Sequence, residues 1–156
     1  MDQNLEALKE EIKNRAKIYV KLYKQLAAEL GAEKAAEVFG RAVYERGRDK
    51  GEALAGKIGA PDLEKLARAF VEGKAEASPF GQEVVEVSDT RALLRLNGCP
   101  LVEAWDEIGL SADEKRKMCN IACQVDFGKF ETAGYTLKFN CRIAEGADSC
   151  DMELTK

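Results

Sequence analysis

In the first half of the chain, apolar residues recur at the three- and four-residue spacing that is typical of amphipathic helices. A first helix is predicted over 3–30, and Gly31 follows it as a stop signal. Its apolar stripe consists of Leu5, Leu8, Ile12, Ala16, Tyr19, Leu22, Leu26 and Leu30. Further helices are predicted over 32–56 and 62–73. Residues 1–75 are therefore predicted to be a helical half.

The pattern changes in the second half, 82–156, where apolar and polar residues begin to alternate. Two β-prone runs within 83–97 are separated by Ser88 and Asp89, which predicts a hairpin. Alternation returns within 135–155 and predicts two further strands. Their inward-facing residues are predicted to be Tyr135, Leu137, Phe139, Cys141 and Ile143 on one strand, and Cys150, Met152 and Leu154 on the other.

Two helices are predicted between these pairs of strands. A proline suits the first turn of a short helix over 100–108, and "SADE" has the form of a capping box that begins a helix over 111–130. The predicted fold class is α+β, with N-terminal helices followed by an antiparallel four-stranded sheet with inserted helices. We expect one domain over 1–156.

Composition narrows the possible partners. The chain has 46% hydrophobic and 33% charged residues, which is ordinary for a globular protein. A net charge of −4 argues against a nucleic-acid partner, and no apolar run approaches the roughly 20 residues of a membrane helix. We therefore expect a cytoplasmic protein that binds neither nucleic acid nor membrane. A homodimer is also our expectation, because the first helix carries more apolar surface than one small sheet covers.

The absence of histidine limits the chemistry. It removes the usual general base and the commonest metal ligand, so acid–base chemistry must use carboxylate, thiol, Lys or Tyr. The five cysteines are expected to be free thiols in a reducing cytosol. They lie twenty, four, eighteen and nine positions apart, which is unlike the paired knuckles of a zinc site. We predict no metal and no cofactor.

Several of the thiols are predicted to converge. Cys99 directly precedes the proline and takes the N-cap position, where helix amides favour a thiolate. Cys119, Cys123 and Asp126 share one face of the long helix. Cys150 faces inward on a strand. If the helix covers the sheet, these side chains form one pocket, and Cys123, Asp126, Cys150 and Cys99 are the candidate catalytic residues.

A plainer alternative exists for each thiol, since free cysteine often serves as a small buried hydrophobe. Cys141, in a regular apolar alternation, fits that alternative best. Asp126 does not, because a carboxylate on an apolar face is costly unless it is paired or used. The thiol nearest Asp126 should have a raised pKa and act as an acid. Cys99, or the thiol farther from Asp126, should then be the reactive one.

The segment "YERGRDKG" is unusual for the middle of a helix, because its glycines weaken a helix interior. Arg46 falls on the apolar stripe of the second helix, so we expect it to be buried and paired with a carboxylate or a bound anion. Its alternative is a long side chain whose head reaches solvent. Tyr44, Arg46 and Arg48 are the candidate substrate-binding residues.

Four stretches of the chain resemble one known family. They are "LYKQLAAELGAEKAAEVFGRAVYERGRDKGEALA", "NGCP", "CQVD" and "TLKFNCRIAEGADSCDMEL". In this order and spacing they are similar to the L-2-amino-thiazoline-4-carboxylate hydrolase family, over nearly the whole length.

The resemblance implies an α+β fold akin to vinyl-reductase domains, which bind small ligands. It also implies an activity that opens a thiazoline ring with water to give carbamoyl-cysteine. The family's Cys-x-x-Asp falls on Cys123 and Asp126, its terminal cysteine on Cys150, and its Cys-Pro on Cys99. Cys119 is an addition to this pattern.

The first functional hypothesis is therefore a cofactor-independent hydrolase that opens the ring of a small carboxylated cyclic amidine. Such a reaction needs a nucleophile, a proton donor and a clamp for the substrate carboxylate. Cys123 attacks or Asp126 activates water, Cys99 or Cys150 supplies a proton, and one of the two arginines named above holds the carboxylate. The alternative is a non-enzymatic small-ligand or metal sensor module on the same fold.

Overall fold

The computed structural model describes residues 3–72 and 78–156. Within them the chain forms, in order, α1 (Gln3–Leu30), α2 (Ala32–Ile58), α3 (Leu63–Val71), β1 (Gln82–Val87), β2 (Ala92–Leu96), α4 (Pro100–Glu107), α5 (Ala112–Ala122), α6 (Gln124–Thr132), β3 (Thr136–Cys141), a 3-10 turn (Ile143–Glu145) and β4 (Cys150–Thr155). The strands form an antiparallel sheet in the order β1-β2-β4-β3. The predicted fold class is confirmed.

One face of the sheet forms a first hydrophobic core with α3 and the ends of α2 and α6. Leu94 of β2 pairs with Met152 of β4, Leu137 of β3 pairs with Leu154, and all four side chains are buried. The other members of this core include Leu66, Phe70, Phe130 and Tyr135. The period-two alternation of the sequence therefore places its apolar residues on the covered face, as predicted.

A second hydrophobic core lies among α1, α2, α4 and α5. It contains Ala16, Val20, Phe39, Val43, Val102, Trp105, Met118 and Ile121. The buried indole of Trp105 donates to the carbonyl oxygen of Ala16 over 3.1 Å, which satisfies its polar atom.

Only part of the predicted stripe of α1 is buried. Ile12, Ala16 and Val20 are buried, whereas Leu8, Leu22 and Leu30 are exposed. Helix α1 therefore buries a narrower face than its leucines define, in line with the expectation that it carries more apolar surface than the sheet covers. The predicted end of the third helix at residue 73 lies outside the described residues.

The predicted helix over 111–130 is also divided. The capping box formed by Ser111 and Glu114 begins α5 as expected, but Cys123 separates α5 from α6. Cys123 keeps a helical hydrogen bond from its amide to the carbonyl of Cys119, at 2.8 Å, while its ψ of −7° departs from regular helix. The strand predicted to reach Ile143 likewise ends at Cys141, and the 3-10 turn begins at Ile143.

Helices α2 and α6 approach each other through glycines. A Cβ on Gly47 would overlap the carbonyl oxygen of Val125, and a Cβ on Gly128 would overlap that of Tyr44. A Cβ on Gly51 would likewise overlap the carbonyl oxygen of Lys129. We call Gly47, Gly51 and Gly128 the glycine crossing. The glycines of the unusual segment are therefore required by backbone packing.

Candidate functional site

The functional side chains are supplied by the ends of several elements. Cys119 lies in the last turn of α5, Cys123 at the junction with α6, and Asp126 in the first turn of α6. Cys99 is the N-cap of α4, and Cys150 is the first residue of β4. All five cysteines are free thiols among the described residues.

Arg142 connects α5 to the 3-10 turn. Its Nη1 lies 3.6 Å from Cys123 Sγ and 4.0 Å from Cys119 Sγ, and it donates to Asn120 Oδ1 over 2.8 Å. Its Nη2 donates to Glu145 Oε1 over 2.8 Å. Only 17% of its side chain is exposed. A guanidinium is thus held against two sulfur atoms by two fixed oxygen partners.

The Cys123 thiol donates to the carbonyl oxygen of Asn120 over 3.6 Å, one helical turn from the Cys119 thiol, and the interaction between the two thiols separates their pKa values. The pKa of Cys119 is lowered by its interaction with Cys123 and by the charge of Arg142. The pKa of Cys123 is raised by the same interaction, by burial and by the carboxylate of Asp126. The first proton to leave the pair therefore leaves Cys119, which becomes the thiolate.

Cys99 and Cys150 lie close enough to the pair for their charges to interact with it. Burial raises the pKa of Cys99 to about 12, although the amides of Leu101 and Val102 act in the opposite direction. Of the two alternatives for the reactive thiol, this disfavours Cys99, because burial outweighs the helix N-terminus, and leaves Cys119, the thiol farther from Asp126. Burial also raises the pKa of Cys150 to about 11, and its Sγ accepts from the amide of Ile143 over 3.2 Å.

We call Cys99, Cys119, Cys123, Cys150 and Arg142 the thiol cluster. The half-buried Asp126 adjoins it, since its charge raises the pKa values of both Cys123 and Cys150. Burial raises the pKa of Asp126 itself to about 6, against smaller opposing effects of Lys129 and Lys50. A carboxylate with this pKa is mostly ionised at neutral pH and still basic enough to accept a proton.

The three candidate substrate-binding residues differ in exposure and in partners. Arg46 is exposed over 64% of its side chain and pairs at 3.3 Å with Asp49, so the prediction that it is buried is wrong. Arg48 is also exposed and pairs with Glu45. Arg46 lies on the solvent side of α2, because the opposite side of this segment is occupied by the glycine crossing.

Tyr44, by contrast, is half-buried and lines a groove of about 690 Å³ between α2 and α5. Its hydroxyl donates to Glu131 Oε2 over 2.7 Å, which raises the pKa of Tyr44. The walls of the groove are formed by Tyr23, Ala36, Gly40, Ile121 and Gln124, with Arg41 and Lys117 among its charged residues. Asn120 also lines it, so the groove adjoins the side chain that holds Arg142.

Two important residues were missed by the sequence reasoning. Arg142 occupies a polar position in the alternating run that begins at Tyr135, which predicted a solvent-facing side chain. Because β3 ends at Cys141, Arg142 instead turns back toward α5. Asn120 carried no signal beyond its position between two cysteines. Within residues 3–72 and 78–156, no three His, Cys, Asp or Glu side chains form a group that could hold a metal ion.

Comparison with known protein families shows to which family this chain belongs. The model of the family described as L-2-amino-thiazoline-4-carboxylic acid hydrolase matches residues 11–154. The chain belongs to this family. The family's Cys-x-x-Asp motif, at Cys123 and Asp126, thus lies where α5 meets α6, beside Arg142.

Other comparisons bear on the fold alone. The chain is similar to the crystal structure of a trafficking protein particle complex subunit 3 from Naegleria fowleri, covalently bound to palmitic acid. The two are 17% identical with a TM-score of 0.62, over 94% of this chain and 95% of that chain. A search of curated proteins gave no significant match. No helix in the described part of the chain has the length and apolar character needed to cross a membrane.

Proposed function

We propose that the protein is a hydrolase that opens the ring of a small carboxylated cyclic amidine, with 2-amino-thiazoline-4-carboxylate as the reference substrate. The observation that carries this proposal is the thiol cluster: a cysteine with a lowered pKa, held by Arg142, beside a second thiol and a carboxylate. Family membership supports the same reaction class.

In the first step, the thiolate of Cys119 attacks the amidine carbon between the ring sulfur and the ring nitrogen. The bond from that carbon to the ring sulfur breaks, and the sulfur leaves with a proton from Cys123, whose raised pKa keeps it protonated. The substrate is then attached to Cys119 as an isothiourea. Its former ring sulfur is a free thiol.

In the second step, water completes the hydrolysis. Asp126 accepts a proton from water, and the oxygen attacks the same carbon. The bond to Cys119 breaks and regenerates its thiolate, while the proton on Asp126 returns to Cys123. The product is a carbamoyl-cysteine, so one water molecule is consumed and no redox change occurs.

The groove supplies a binding surface next to this chemistry. Among the cations of the groove, Arg41 on α2 already pairs with Glu37, so Lys117 on α5 replaces Arg46 and Arg48 as the candidate to hold the substrate carboxylate. The hydroxyl of Tyr44 is a further polar contact there. The reacting ring would lie toward Asn120, which connects the groove to Arg142.

The groove also favours a second candidate function, a binding module that holds a small carboxylated ligand without hydrolysing it. Most of the groove's lining is apolar, with a few charged residues among it, as in many ligand sites. In this case the thiols would be structural.

One experiment separates the two functions. Metal-stripped protein is incubated with 2-amino-thiazoline-4-carboxylate, and release of free substrate thiol is followed alongside calorimetric binding. Hydrolysis that is lost in Cys119→Ser and Asp126→Asn but retained in Cys141→Ser supports the enzyme. Cys141 is the matched control because its Sγ donates to the carbonyl of Ser149, whereas the sulfur atoms that contact Arg142 are those of Cys119 and Cys123. Binding without turnover supports the binding module. If the protein shows no binding and no turnover, both candidate functions are contradicted.

A further inference from the structure

We infer that Cys119 and Cys123 form a peroxide-sensitive thiol pair: a hydroperoxide oxidises Cys119 to a sulfenic acid, and Cys123 then closes a disulfide with it. The inference rests on the placement of both thiols against Arg142, supported by the direction of their pKa shifts, and it does not require the proposed hydrolase activity. The two thiols lie one helical turn apart, and Nη1 of Arg142 lies 4.0 Å from Cys119 Sγ and 3.6 Å from Cys123 Sγ.

Cys119 has the features of a thiol that peroxides oxidise. Such thiols are ionised, partly exposed and next to a resolving cysteine. Cys119 is half-buried rather than sealed in the core, Arg142 favours its thiolate, and its neighbour one turn later is Cys123. The thiolate attacks one oxygen of the hydroperoxide, the O–O bond breaks, and the alkoxide or hydroxide that leaves takes a proton from water.

Cys123 becomes reactive only after this step. Its pKa is raised chiefly by its interaction with Cys119, and that cause disappears once Cys119 is a sulfenic acid. Arg142, 3.6 Å from Cys123 Sγ, then favours the thiolate of Cys123. This thiolate attacks the sulfur of Cys119, and hydroxide leaves and is protonated to water. Overall, two thiols and one hydroperoxide give a disulfide, an alcohol or water, and one further water.

The backbone at this position can accommodate the bond with limited rearrangement. Residues four apart in a helix have Cα atoms about 6 Å apart, within the range of disulfides, but their Cβ atoms are farther apart than a relaxed disulfide allows. Cys123 is the junction between α5 and α6, so a movement that brings the Cβ atoms closer would fall where the regular helix is already interrupted. The remaining strain should make the disulfide easy to reduce, which suits a reversible modification.

The test uses the full chain, reduced and then exposed to hydrogen peroxide. Remaining thiols are alkylated, and the protein is digested with trypsin. Cys119 and Cys123 lie in one tryptic peptide, from Met118 to Lys129, so their disulfide gives a peptide two hydrogen atoms lighter that carries no alkyl group. We expect this peptide to form about tenfold faster than any oxidised form of Cys141, and to disappear on treatment with a small thiol.

Three variants test the inference. Cys123→Ser should accumulate a sulfenic acid on Cys119 that dimedone traps, and Arg142→Gln should slow disulfide formation about tenfold. Cys141→Ser should leave the rate unchanged. A disulfide from Cys119 to Cys99 or Cys150, or equal oxidation of all five thiols, would overturn the inference. Circular dichroism confirms that each variant is folded, and a loss of hydrolase activity has no bearing on the outcome.

Discussion

The glycine crossing and the thiol cluster both involve α6, and they place an arginine in opposite environments. At the crossing, Gly47 and Gly128 bring two backbones together while Arg46 next to them points to solvent. At the cluster, Arg142 is drawn inward and held by Asn120 and Glu145 against two sulfur atoms. The difference lies in the partners, since Arg46 pairs with the exposed Asp49 on its own helix, whereas Arg142 is held by Asn120 of another helix.

The largest effect should come from filling the crossing. In Gly128→Ala the new Cβ would overlap the carbonyl oxygen of Tyr44, a backbone atom that cannot move without shifting α2. We expect the free energy of unfolding to fall by about 3 kcal/mol, measured by urea denaturation. Gly56→Ala is the matched control, since nothing lies within 4 Å of its Cβ. It should raise the free energy of unfolding by about 0.5 kcal/mol. Equal stability of the two variants would show that the crossing is loosely packed.

Local signals predicted most of the fold. The capping box of Ser111, the N-cap position of Cys99 and the alternation in β3 and β4 each depend on neighbours in sequence, and each was correct. The break at Cys123 and the end of β3 at Cys141 were not predicted, because they depend on contacts between distant segments. The glycine crossing joins residues about eighty positions apart. From the sequence alone, its glycines therefore indicated only that the interior of α2 is weakened.

The candidate site was predictable to a similar extent. Helix and strand periodicity predicted that the thiols and Asp126 come near enough for their charges to interact, but the groove described above is lined by none of these side chains. The prediction that Arg46 is buried was wrong. It extended the apolar stripe along α2 without taking account of the side on which α6 packs. Arg142 was missed because strand alternation assigns a side chain to a face only while the strand continues.

The second-largest effect on stability is expected at Asp126, because burial opposes ionisation of its carboxyl group. Its pKa of about 6 in the folded protein is above the roughly 3.9 expected on unfolding. The folded state therefore binds more protons between these values, and the stability contributed by this group falls as pH rises through that window. Asp126→Asn should raise the free energy of unfolding by about 2 kcal/mol at neutral pH, with no gain below about pH 4.

The same variant should lose hydrolysis, because an amide cannot accept a proton from water. The measurement is urea denaturation across this pH range, together with turnover of the thiazoline. Asp126→Glu is the control that keeps a carboxylate. A gain in stability at acidic pH, or full activity in the asparagine variant, would contradict the role assigned to this residue.

A smaller effect is expected at Arg142. Its charge favours the thiolate of Cys119, so Arg142→Gln should slow alkylation of Cys119 by iodoacetamide about tenfold at neutral pH. Arg142→Lys keeps the charge and should retain much of the rate. Peptide mass spectrometry of timed samples gives the rate for each cysteine, with Cys99 as the slow internal reference because its pKa is about 12. A rate for Cys119 that is independent of Arg142 would mean that the pair acts without the guanidinium.

The smallest effect should come from the other arginine. Arg46 is exposed and its ion pair with Asp49 lies within one helical turn at the surface, an arrangement that contributes little to stability. Arg46→Ala should therefore change the KM for a carboxylated substrate by less than about twofold and leave urea denaturation unchanged. Lys117→Ala, in the groove, is the matched comparison and should raise KM, since a lost charge-assisted contact weakens carboxylate binding. If Arg46→Ala raised KM while Lys117→Ala did not, the substrate would lie on the solvent face of α2, and the groove would have no part in binding.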